Sequence, residues 1–237
     1  MEFRPSTLQE RRRFYERVFS IEKVKRWFFR NGMKLPQLCA VDAGTETGII
    51  INKKLKGQML YFPFKNLIRK IKQYIPEDIY YDRSEYEDPD RVLKELKFNK
   101  FISQELVFDI DSDNIVCDCH NQESKVCNFC LNQTFIWAKK MKKELGKEFK
   151  KIRIVYSGRG FHVHVLDRRA FLFSINERKS LNKKFAEYPI DPWVSGGHIN
   201  LIRMPYSLNG LVSRKVIPIK NSLIFNKKET YPKFLFS

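Results

Sequence analysis

No stretch of the 237 residues approaches the roughly 18 consecutive apolar residues that a membrane span requires. The opening segment, MEFRPSTLQERRRFYERVF, is charged throughout and lacks the apolar core of a secretory signal peptide. The expected location is therefore intracellular, the cytoplasm or, in a eukaryote, the nucleus. Internal repeats, low-complexity tracts and Pro/Gly/Ser linkers are absent too, so residues 1–237 are expected to form a single domain. Cysteine is scarce outside one short interval. Only Cys39 of the five lies beyond Cys117–Cys130, which argues against a disulfide scaffold and for a metal site in a reducing compartment. Acidic residues are the deficient charge. Lys plus Arg number 45 against 27 Asp plus Glu, a net charge of +18, and an excess of that size calls for a polyanionic partner such as nucleic acid or nucleotides.

What is present is a core-forming chain, 43% hydrophobic and 30% charged. Residues 7–31 read as one N-terminal helix, because Leu8, Phe14, Val18, Ile21, Val24 and Phe28 recur at helical spacing. Short strands and turns are expected over 36–62, including a turn at Asp42–Gly44 and a strand at 48–52, before a basic amphipathic helix from Phe64 to Tyr74. Glu105–Asp111 (ELVFDID) alternates: Leu106, Phe108 and Ile110 face one side, and Val107, Asp109 and Asp111 face a solvent-accessible side. Further on, the pattern predicts a helix over 131–145 stopped by Gly146, strands at 152–156 and 161–167, and a polar helix near 174–186. Strands are also expected near 199–204 and 216–219. The fold class implied is α+β, with a mixed or antiparallel central sheet flanked by helices.

Four constellations carry chemistry. Asp109 and Asp111 sit at i and i+2 of a strand, about 6.5–7 Å apart, so their carboxylates share a face and can converge on hard cations. Cys117, His120, Cys127 and Cys130 have the spacing of a structural zinc knuckle, with Cys119 as an alternative ligand. In Tyr156-Ser-Gly-Arg-Gly-Phe-His-Val-His164, Gly158 and Gly160 let backbone amides approach an anion, and Ser157, Arg159 and His162 can donate to phosphate oxygens. His164 shares the strand face of His162 and reads equally well as a structural residue. In DPWVSGGHINLIRMPYS, Asp191 reads as a turn residue before Pro192. Arg203, between Ile202 and Met204, projects to the face opposite them.

Together and in this order, these segments resemble the catalytic (small) subunit of archaeal and eukaryotic DNA primases; DIYYDRSEYEDP just upstream is similar as well. The resemblance implies the primase catalytic fold with a zinc knuckle inserted at 117–130 and a helical subdomain reduced or absent between 167 and 190. It implies synthesis of short primers de novo on a single-stranded DNA template from nucleoside triphosphates, and a large primase subunit as partner. By position, Asp109, Asp111 and Asp191 would be catalytic and hold two Mg²⁺ or Mn²⁺ ions. Ser157, Gly158, Arg159, Gly160, His162, Arg203 and Asn209 would bind the nucleotide. Cys117, His120, Cys127 and Cys130 would hold Zn²⁺. The chain departs from the family pattern at Asn209 and Leu211, which stand where relatives carry His and Lys. A metal-dependent nuclease and an inactive zinc-stapled nucleic-acid-binding subunit are the alternatives.

Overall fold

The computed structural model describes residues 3–42, 59–121, 126–220 and 224–232, with the side chains of residues 120 and 121 outside that set. The strand expected at 48–52 and the turn at 42–44 fall wholly or partly outside the described residues. The N-terminal segment forms α1 (Leu8–Arg17) and α2 (Ile21–Arg30) rather than one helix. The break has a local cause. Ser20 is extended and its side chain accepts from the Lys23 amide, starting a second helix where the apolar spacing alone would run on. Thr7 and Glu10 close a capping box on α1.

The remaining elements, in order, are β1 (Leu38–Asp42), β2 (Met59–Pro63), α3 (Leu67–Tyr74), β3 (Ile79–Asp82), β4 (Ser84–Glu85), α4 (Pro89–Glu95), β5 (Ser103–Gln104) and β6 (Leu106–Ile110). Next come α5 (Asn128–Leu145), β7 (Ile152–Tyr156), β8 (Phe161–Val165), α6 (Arg168–Phe171), α7 (Ile175–Lys184) and α8 (Pro192–Ser195). The chain closes with β9 (Leu201–Arg203), β10 (Leu208–Asn209), β11 (Arg214–Lys215) and β12 (Ile217–Pro218).

The architecture is α+β, but the single central sheet expected from the sequence is two four-stranded sheets. One has the order β2-β1-β3-β9, the other β12-β7-β8-β6, and all the pairings described are antiparallel. Strand alternation explains why the second sheet is covered on both faces. Leu106, Phe108, Ile110, Ile154 and Val163 pack against Leu131, Phe135, Ala138 and Met141 of α5 and Leu181 of α7. Val107 and Val155, pointing the other way, join Cys39, Val41, Ile79 and Ile202 of the first sheet with Val24, Trp27 and Phe28 of α2. The Asp-bearing face of β6 is therefore not a solvent face along its length. Glu105 and Val107 are buried, and the face opens only at its far end, where Asp109 and Asp111 keep side-chain exposures of 20% and 18%.

Candidate active site

β6 and β8 pair in a register that sets Asp109 directly opposite His162 and Ile110 opposite Phe161. β7 and β8 are joined by a tight turn at 157–160. The Ser157 amide donates to the Gly160 carbonyl at 3.0 Å, and the Gly160 amide donates to Ser157 Oγ at 3.2 Å. Gly158 takes a φ of +111°, a conformation side chains disfavour. Gly160 is required for proximity: a β-carbon there would collide with the Ile110 carbonyl and stand 2.9 Å from Asp111 Cα. The turn thus lies against the end of β6, and Arg159 Nη2 reaches Asp111 Oδ2 at 3.0 Å and Asp113 Oδ2 at 2.8 Å.

The third carboxylate arrives from a distant part of the chain. The Asp191 amide donates to the Asp109 carbonyl at 2.8 Å, and Ile190 bridges Ile110, so the segment before α8 runs beside β6. Asp191 Oδ1 accepts from the Trp193 amide at 2.8 Å, which fixes the side chain at the start of this short helix. Arg203 approaches from the first sheet, where β9 pairs with β3. Its Nε donates to Asp78 Oδ1 at 2.9 Å and its Nη2 to Asp78 Oδ2 at 3.2 Å, a two-point grip that orients the guanidinium.

Burial pushes the Asp109 carboxyl up to about 8; the nearby charges of Asp111 and Asp191 add to it, and Arg203 and Arg159 oppose it. Burial works on Asp111 in the same direction, but there the Arg159 guanidinium prevails and holds the group below the usual carboxylate range. His162 is driven well below an ordinary histidine by burial and then by His164, Arg203 and Arg83, so its ring is neutral. Asp109 Oδ1 is buried without a hydrogen-bond partner among the described residues. Asp109, buried beside the Asp111 charge and with an unsatisfied oxygen, is thus the group here disfavoured as an anion, the chemistry a nearby cation would relieve.

The structure gathers Asp109, Asp111, Arg159, His162, Asp191 and Arg203 at one end of β6. Two residues expected to face a nucleotide also hold the turn together. Ser157 Oγ accepts from the Gly160 amide inside the turn and keeps its own O–H as a donor. Asn209 is fully buried, donates to the Ser157 carbonyl at 3.0 Å and braces the turn from behind. His164 is structural in its contacts: Nδ1 lies 2.8 Å from Glu105 Oε1, and Tyr81 Oη donates to Glu105 Oε2 at 2.7 Å, linking the two sheets beneath the site. Sequence reasoning missed Asp78 as the anchor of Arg203 and Asp113 as a partner of Arg159. Asp78 opens the DIYYD segment that resembles the primase pattern, the one signal that marked it.

Between β6 and α5, the Sγ atoms of Cys117, Cys119, Cys127 and Cys130 all lie within 4.8 Å of one another. Cys117–Cys127 and Cys127–Cys130 are 3.8 Å apart and Cys119–Cys130 3.4 Å. Zinc–sulfur bonds of about 2.3 Å in a tetrahedron require edges of about 3.8 Å, so the sulfur set fits zinc. Cys119, the alternative ligand, completes the four sulfurs, and the His120 side chain lies outside the described residues. None of the four is paired in a disulfide.

A family model described as DNA primase small subunit matches residues 108–189. An uncharacterized DNA primase small subunit-like protein of Archaeoglobus fulgidus is 37% identical over 99% of this chain and 92% of its own length. The DNA primase small subunit PriS of Pyrobaculum calidifontis is 28% identical over 70% of this chain and 54% of its own. PriS of Pyrococcus abyssi is 32% identical over 51% of this chain and 34% of its own. The chain thus spans nearly all of the first relative and about half or less of the other two.

Proposed function

The chain belongs to the DNA primase small-subunit family, and from that premise we propose that it is the catalytic subunit of a primase, making short primers de novo on single-stranded DNA from nucleoside triphosphates. The observation that carries the proposal is the hydrogen bond from the Asp191 amide to the Asp109 carbonyl, which brings a third carboxylate to the Asp109/Asp111 pair beside Arg159.

Asp109, Asp111 and Asp191 would hold two Mg²⁺ or Mn²⁺ ions. Such ions supply Lewis-acid activation of a 3′-hydroxyl and charge neutralisation on a triphosphate. The protein's own part is positioning and fixed charge. Arg159, carried on the turn that Gly160 presses against β6, supplies a guanidinium at the carboxylate edge for phosphate oxygens. Arg203, oriented by Asp78, adds a second positive charge that costs no reorganisation. His162, neutral and buried, offers a ring N–H rather than a charge.

The four cysteines would hold a structural Zn²⁺ that ties the end of β6 to the start of α5. Residues 1–237 are read as one catalytic domain, with the knuckle inserted at 117–130 and only α6 and α7 between 167 and 190. A single-stranded template, nucleotides and a large primase subunit are the partners, in an intracellular setting. Among the described residues no helix is long and apolar enough to cross a membrane.

The test is template-directed incorporation of labelled ribo- and deoxynucleotides, with and without a large subunit, by wild type and by Asp109→Asn, Asp111→Asn and Asp191→Asn. Incorporation by wild type and its loss in all three variants supports the assignment. Degradation of labelled oligonucleotide without incorporation would identify a nuclease. DNA binding with no activity in any protein would identify a non-catalytic subunit.

A further inference from the structure

Beside the carboxylates, between α5 and the 114–116 and 187–189 segments, lies an open groove of about 390 Å³ that no step of the proposed mechanism uses. Val116 is 97% exposed and Phe129 54% exposed within it, and Trp137 and Tyr188 form its wall. The two rings of that wall meet edge to face, with centroids 4.9 Å apart. Lys140 Nζ stands 4.5 Å from the Trp137 ring centroid. A soluble protein that leaves apolar and aromatic groups open in a concave surface presents them to a partner.

Position and charge identify that partner. One end of the groove touches the catalytic segments: Asn114, next to Asp113, donates from Nδ2 to the Pro189 carbonyl at 3.4 Å, two residues before Asp191. The other end touches the cysteine cluster, through Val116 beside Cys117 and Phe129 beside Cys130. A cation already placed over an aromatic ring, on a chain of net charge +18, is the arrangement that receives stacked bases with their phosphates outside. Glu187 also lines the groove, and its carboxylate keeps phosphates away from the part it lines.

The geometry points to this groove as a stacking track for unpaired bases of a single-stranded nucleic acid, running from the cysteine cluster to the catalytic carboxylates, with Trp137 and Phe129 as its platforms. The inference rests on the primase reading for the identity of the strand, and its test is separable from that reading.

Binding of a labelled oligothymidylate of about 15 nucleotides, and of an abasic strand of equal length, is measured for wild type, Trp137→Ala, Phe129→Ala and Trp137→Phe at one salt concentration. Stacking predicts that both alanine variants raise the Kd for the base-bearing strand by at least about fivefold, the lower end for one stacked base, and change that for the abasic strand by less than about twofold. Trp137→Phe retains most of the affinity. Equal weakening on both strands, or none on either, overturns the proposal. Unchanged DNA binding with lost association to a large subunit also overturns it and makes the groove a protein-docking site. If wild type shows the stacking signature yet incorporates no nucleotide, the groove stands and the polymerase reading falls.

Discussion

Asp109 and His162 face each other across β6 and β8 with Oδ1 and Nε2 3.6 Å apart, and both are displaced toward their neutral forms. An ion pair between them is therefore not what holds the site together at neutral pH. Asp109 is held by its strand, by the Asp191 segment bonded to its backbone, and by the packing beneath it. What its carboxylate lacks is positive charge at close range, since Arg159 is engaged with Asp111 and Asp113 and Arg203 with Asp78.

A divalent cation held at these carboxylates would compete with the proton on Asp109. Because the carboxyl is pushed up to about 8, Mn²⁺ affinity is expected to fall about tenfold per pH unit below that value and to level off above it. Titrating Mn²⁺ by calorimetry between pH 6 and pH 9 checks this. An affinity already flat at pH 6 would mean that Asp109 is ionised there. Asp109→Asn should bind the cation weakly at every pH.

Gly160 is the position where the turn and the carboxylate strand come closest. Gly160→Ala must move either the turn or the Ile110–Asp111 backbone, at a cost of about 1–3 kcal/mol in stability. The same displacement carries Arg159 away from Asp111, so nucleotide incorporation should fall by more than the loss of folded protein explains. Denaturant melts and incorporation assays on one preparation separate the two effects. Normal incorporation per folded molecule would show that the close approach does not serve the site.

Much of the site was legible because its parts are local. The DxD pair, the SGRG turn and the cysteine cluster each declare themselves within a few residues, and strand alternation put Asp109 and Asp111 on one face. What stayed hidden depended on long-range pairing. Nothing around Asp78 announces that it will grip Arg203, 125 positions away. Asn209 stands where relatives carry His, a place that suggested a ligand contact, and only the fold reveals that it also braces the turn from behind. The division of the N-terminal helix failed for a different reason: the apolar period continues through Ser20, and a cap outweighed periodicity. The single sheet became two because Val107 and Val155 needed a second layer to cover them.

The cysteine cluster distinguishes two ligand sets. If the four sulfurs bind zinc, His120→Ala should retain one equivalent of metal, whereas Cys119→Ser should lose most of it. Metal analysis of the purified variants reads this directly. Chelation should also lower the melting temperature of wild type, because binding energy at such a site is folding energy. Retention of zinc by Cys119→Ser together with its loss in His120→Ala would restore the histidine as fourth ligand.

Asp82, away from the carboxylate cluster, gives the chain a pH dependence of its own. Burial raises its pKa to about 6, although the Ser84 amide donates to Oδ1 at 2.8 Å and Tyr86 Oη donates to Oδ2 at 2.8 Å. The unfolded chain releases this proton near pH 3.8, while the folded one keeps it until about pH 6. The stability that the buried neutral acid confers is therefore complete below the unfolded value and lost as the pH rises through 6. The shift of about two pH units corresponds to about 3 kcal/mol. Asn at this position has no proton to lose and retains an oxygen for the Ser84 amide, while its amide can donate to the Tyr86 hydroxyl. Asp82→Asn should therefore gain stability relative to wild type by about 3 kcal/mol between pH 4 and pH 7.5. Because the other carboxylates titrate alike in both proteins, the difference between their urea midpoints isolates this one group. A difference that stays constant across that range would mean that Asp82 is ionised in the folded protein throughout, with its two donors outweighing the cost of burial.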